Sequence, residues 1–180
     1  MAIAKYLATL SFVAGAIFQP TQSLAGPVHA EMFDVPYVCS ITFTIRSGRD
    51  GLRGGEYDGD VYANIEIADH WYPLSRDRTG LNVGARWASW STHSRTVVMP
   101  ECLALDDRLQ AIRLHTRFAG GVFGNNWDMI ALTIGWSGHM TSKRGGGLRT
   151  ITGYFYRGAR GPALCRFSGE RHDFDVAITH

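Results

Sequence analysis

The feature that most constrains this chain is an alternation of apolar and polar side chains with a period of two, repeated along most of its length. Ile41, Phe43 and Ile45 alternate with Thr42, Thr44 and Arg46. Val61, Ala63, Ile65 and Ile67 alternate with Tyr62, Asn64, Glu66 and Ala68. The same pattern runs through residues 112–118 and 130–136, with shorter apolar runs at 96–99 (ended by Pro100), 151–156, 163–167 and 174–178. Successive side chains of a strand point to opposite faces, whereas a helix repeats every 3.6 residues. No stretch keeps helical spacing for three turns, and residues 103–109 (LALDDRL) predict one helical turn at most. Gly-, Asn- and Pro-rich turn signals separate the runs at 48–59, 76–84, 119–126, 138–147 and 158–162. One polar and one apolar face per strand predicts antiparallel sheets, and about eight such strands predict an all-β sandwich.

The first 25 residues follow a different logic. Lys5 precedes an apolar run that ends before Pro20, and Ser23-Leu24-Ala25 offers a small-x-small end. This layout predicts a cleavable signal peptide over 1–25, a lead-in over 26–34 and one domain over 35–180. The run is too short to span about 30 Å of hydrocarbon as a helix. A secreted protein, extracellular or periplasmic, is therefore expected. Export favours oxidation of thiols, so Cys39, Cys102 and Cys165 predict one disulfide and one free thiol; three pairings are open. Their spacing is too wide for a CxxC redox or zinc motif.

With 18 Lys plus Arg against 16 Asp plus Glu, the net charge of +2 argues against a nucleic-acid binder driven by phosphate neutralisation. Catalytic motifs are thin. Gly135-Trp136-Ser137-Gly138-His139 lacks the GxSxG spacing of a nucleophile elbow, and no histidine pair has HExxH or HxH spacing. No enzymatic activity is expected, with a small secreted hydrolase as a rival reading.

Three segments occur in a recognisable order: ITFTIRSGRDGLRGGEYDGDVYANIEI, WASWSTHSRTVVMP and DRLQAIRLHTRFAGGVFGNNWDMIALTI. Over about residues 41–136 this order resembles the PLAT/LH2 β-sandwich domain of lipoxygenases and lipases, and is most similar to small bacterial secreted proteins of that type. The resemblance implies a recognition module for membranes or proteins, without catalysis, and in some members calcium in the loops.

Candidate ligand-binding residues follow from chemistry. Trp71, Trp87 and Trp90 are expected in or beside loops, where amphipathic aromatics enter a bilayer interface or stack on sugar rings. Arg113, His115 and Arg117 should share one strand face, and Lys143, Arg144 and Arg149 flank a glycine turn; both patches suit anionic headgroups or sulfated glycans. Asp50, Glu56, Asp58 and Asp60 crowd one loop, and calcium is a chemically reasonable occupant because it takes six to eight oxygen ligands. Asp50, Asp58 and Asp60 are the expected ligands. Trp127 is expected to plug one end of the core, and Asp128 to tie down a neighbouring loop. The expected partner is a membrane surface, a glycan in a lectin-like mode, or a protein, bound by a monomer.

Overall fold

Alternation becomes strand pairing almost wherever the sequence shows it. The computed structural model describes residues 35–54, 59–74, 80–118, 126–140, 147–161 and 163–179; the expected signal peptide and lead-in lie outside these. Among the described residues there are nine strands and no helix. They are β1 (Tyr37–Ser47), β2 (Val61–Ile67), β3 (His70–Pro73), β4 (Thr92–Ala104), β5 (Leu109–Thr116), β6 (Trp127–Met140), β7 (Arg149–Ala159), β8 (Cys165–Phe167) and β9 (Asp173–Ala177). All pairings are antiparallel. One sheet has the order β4-β1-β6-β7, with β8 also paired to β6; the other has the order β3-β2-β5-β9. This is an antiparallel β-sandwich.

The core lies between the two sheets. Ile41, Phe43, Ile45, Leu132 and Ile134 of the first sheet and Val61, Ile65, Ile112 and Leu114 of the second are all at most 3% exposed and form one cluster. Their neighbours in sequence therefore face outward, as the pleat demands. At one end Trp127 closes the core. Its ring stacks on Phe167 with centroids 5.1 Å apart and takes the edge of Trp87 at 5.8 Å. Its Nε1–H donates to the buried Ser47 Oγ at 3.0 Å, which satisfies the one polar atom of the indole.

Three details depart from the sequence reading. First, β3 was not expected. It pairs with β2 across a two-residue hairpin in which Ala68 and Asp69 have φ of 49° and 64°. Two positive φ values are what a type I′ hairpin needs, and they usually call for Asn-Gly. Here Gln110 holds the strained loop instead: its Oε1 accepts from Asp69 N–H at 2.9 Å and its Nε2–H donates to Asp69 Oδ1 at 3.1 Å. Second, β4 does not stop at Pro100. Residues 99–102 stand opposite Cys39 alone, between the Val38–Leu103 and Ser40–Val98 pairs. A proline is tolerated in such an irregular segment of an edge strand. Third, the expected helical turn at 103–109 is strand followed by a tight turn, closed by Leu109 N–H donating to Asp106 O at 2.9 Å.

Gly138 also sits inside β6 and not in a turn. A Cβ there would overlap the Tyr37 carbonyl oxygen, so the close approach of β1 requires glycine. Cys39 and Cys102 form a disulfide between β1 and β4, which selects one of the three open pairings; Cys165 is free and buried in β8.

Candidate functional site

The two outer faces of the sandwich differ in chemistry. On the first sheet, register places Thr96, Thr42, Gly135 and Tyr154 in one cross-strand row, Ser94, Thr44, Thr133 and Arg157 in the next, and Val98, Ser40, Ser137 and Thr152 in a third. A fourth row holds Thr92, Arg46, Ala131 and Ala159. These positions are half-buried or exposed, and none is acidic. The result is an array of hydroxyls about 4.8 Å apart across strands and about 7 Å apart along them. Several hydroxyls already pair: Thr42 with Thr96 at 2.8 Å, Thr44 with Ser94 at 3.0 Å and Ser40 with Ser137 at 2.7 Å. Each hydroxyl keeps further donor or acceptor capacity for a ligand.

An aromatic element crosses this array. Tyr154 is 59% exposed, and its ring lies beside Gly135, where an added Cβ would make an ordinary contact with it at 3.6 Å. The Arg157 guanidinium stacks on the ring, 3.4 Å from its centroid. Beyond Ala131 the array runs into an open depression of about 410 Å³ lined by Arg46, Trp90, Ile130, Ala131, Ala159, Arg160 and Gly161. Trp90 is 58% exposed and has φ of 63°, an uncommon conformation for a bulky residue. Its N–H donates to Gly48 O at 2.9 Å, which fixes the turn that presents the indole. Arg46 and Arg160 form no ion pair among the described residues.

The outer face of the second sheet is self-neutralised. Arg113 makes a two-pronged contact with Asp175 at 2.6 and 2.7 Å and also approaches Asp173. The Asp175 hydrogen bond raises the Arg113 pKa further, against the lowering effect of burial. His115 Nδ1 meets Asp173 Oδ1 at 2.5 Å. Trp71 lies under Arg113 at 4.2 Å, and Tyr62 under Arg117 at 5.0 Å. Arg113, His115 and Arg117 thus share a face, as expected, but the first two are already paired.

The expected aromatic anchors are not gathered at one loop end. Trp87 is 5% exposed, stacked on His93 at 4.7 Å, and has no face to offer a bilayer. Trp71 belongs to β3 in the second sheet, and Trp90 to the turn before β4 in the first. Of the expected calcium ligands, Asp50 and Asp60 lie among the described residues, and each has a protein partner. Asp50 is held by Arg166, whose Nη2 reaches Asp50 Oδ2 at 2.7 Å while Nη1 reaches Asp128 Oδ1 at 2.7 Å. The Asp50 hydrogen bond is the largest influence raising the Arg166 pKa. Asp60 Oδ1 accepts from Asn82 Nδ2 at 2.8 Å. Asp58 and Glu56 lie outside the described residues, as do Lys143 and Arg144. Asp128 does tie down the loop: its Oδ2 accepts from Asp50 N–H at 3.3 Å.

Ser137 and His139 do not combine into a nucleophile and base, since Ser137 bonds to Ser40 and His139 lies on Tyr37 and Cys39. His139 Nδ1 stands 3.2 Å from Cys39 Sγ, and with Cys102 these form the one group of three potential metal-ligand side chains gathered among the described residues. Sequence spacing hid this group, because the residues come from three different strands.

Fold and surface together define an antiparallel β-sandwich with one hydroxyl-rich, uncharged-to-basic outer face and one salt-bridged outer face. No protein-family model, curated protein or solved structure matches the chain.

Proposed function

We propose that this protein is a non-catalytic recognition module that holds an acidic polysaccharide across the outer face of its five-stranded sheet. The observation that carries the reading is the hydroxyl array that continues into the Trp90 depression beside two arginines that form no ion pair among the described residues. A sugar chain presents hydroxyls, which Thr and Ser match as donors and acceptors. Its C–H faces suit the exposed Trp90 ring, while Tyr154, stacked with Arg157, offers its hydroxyl. Arg46 and Arg160 favour a carboxylate, which a guanidinium meets in a fork. The lectin-like expectation is kept, with the ligand moved from loop tips to a sheet face. Membrane insertion loses support with Trp87 in the core and Trp71 covered by Arg113. Export belongs to the same proposal and is supported by the N-terminal apolar segment; a Cys39–Cys102 disulfide is compatible with an oxidising compartment. The likeness to PLAT/LH2 domains rests on the sequence motifs and is compatible with two antiparallel sheets.

Affinity electrophoresis tests the reading. Gels containing polygalacturonate or alginate should retard the protein, while Trp90→Ala and Tyr154→Ala variants should migrate freely. Association with anionic liposomes, coupled with no retardation by any polysaccharide, would overturn it.

A further inference from the structure

We propose that Cys39, Cys102 and His139 form a binding site for a soft or borderline metal ion, zinc(II) or copper(I), when the disulfide is reduced. The ligand atoms, two Sγ and one Nδ1, all lie within 4.8 Å of one another, and all three residues are half-buried. They stand on three adjacent strands, β4, β1 and β6. Ladder pairs at Val38 and Ser40 flank Cys39 on both sides of β1, and Leu103 pairs next to Cys102, so the three strands stay paired around the ligands when the S–S bond breaks. Tyr37 pairs with His139 in the register and stacks on its ring at 5.4 Å, which fixes the imidazole with Nδ1 toward the sulfurs. Two thiolates and one imidazole select zinc(II) or copper(I) over calcium. Three protein ligands leave a fourth position for water or an incoming group, the pattern of an open zinc site.

The chemistry balances. A small thiol reductant gives two electrons and two protons, breaks the S–S bond and leaves as its own disulfide. A phosphine does the same with one water, which supplies the two thiol protons and the oxygen of the phosphine oxide. The metal then displaces both thiol protons to solvent, and neutral His139 donates the Nδ1 lone pair.

Cobalt(II) titration of the full chain, oxidised or reduced with a phosphine, tests this in a Cys165→Ala background that removes the third thiol. The reduced protein should bind one cobalt with sulfur-to-metal charge-transfer absorption and tetrahedral visible bands, and the oxidised protein none. His139→Ala should weaken binding at least ~10-fold, as disturbance of a metal's ligand set does, and Cys39→Ser should abolish the charge-transfer band. Far-UV circular dichroism should be unchanged on reduction. Equal binding by the His139 variant, no charge-transfer band in the reduced protein, or loss of the β spectrum on reduction would each overturn the proposal.

Discussion

Replacing Arg166 by methionine should destabilise the protein without changing its fold, because Arg166 occupies the place a cation would take between two carboxylates. Its guanidinium reaches Asp128 and Asp50, both at 2.7 Å. The side chain of Asp128 is 8% exposed, whereas those of Arg166 and Asp50 are 50% and 42% exposed. Removing one partner of a fully buried pair costs about 3–5 kcal/mol. Exposed pairs contribute about 0–1 kcal/mol. This bridge lies between those limits, so the expected loss is about 1–3 kcal/mol, carried mainly by the charge left on Asp128. At about 2–4 °C per kcal/mol for a chain of this size, Tm should fall by about 2–12 °C in a calorimetric scan. Adding Asp128→Asn to the Arg166→Met variant should raise Tm again. The amide is neutral, and its oxygen still accepts from the Asp50 N–H. An unchanged Tm in the single variant, or no recovery in the double variant, would refute the reasoning. Millimolar calcium should leave the wild-type Tm unmoved, since Arg166 already neutralises Asp50.

Other outcomes follow from the same geometry. Changing Cys39 and Cys102 together to Ser removes a crosslink spanning 63 residues and should lower stability by about 4 kcal/mol, read from urea unfolding. Burial raises the Cys165 thiol above its ordinary 9.0, with Arg171 pulling weakly the other way. The native thiol should therefore resist alkylation at neutral pH and react once urea unfolds the chain, as mass spectrometry would read. A folded-state pKa raised above the unfolded value stabilises at low pH, so this contribution is present below pH 9.0 and lost as pH rises through the native value. Gly138→Ala should lower stability by at least about 1–3 kcal/mol, because its Cβ meets the backbone of β1 and not a movable side chain.

Strand positions and the inner and outer faces were legible in the sequence, because a period of two assigns every second residue to the core. Ile41, Phe43 and Ile45 and their partners in β6 needed nothing more. The edge details were not legible. Ala68-Asp69 lacks the usual hairpin residues and is held by Gln110, a contact between residues 41 positions apart. The sequence identified aromatic and charged residues but not their partners. Trp87 reads like a loop anchor until Trp127 and His93 are seen to enclose it. Asp50 reads like a metal ligand until Arg166, from β8, is seen to reach it. The hydroxyl array was present in the alternation as Thr42, Thr44, Ser94, Thr96 and Thr133. Only the register shows that these form adjacent rows, since it is fixed by pairings between residues far apart in sequence. Cys39, Cys102 and His139 were hidden for the same reason.

Backbone hydrogen exchange with and without an acidic oligosaccharide such as tri-galacturonate examines the binding face directly. Slowed exchange should map to β1, β6 and β7 and to the turn carrying Trp90, with β2, β5 and β9 unaffected. Protection confined to the Trp71–Arg113 face, or none at saturating sugar, would contradict the assignment.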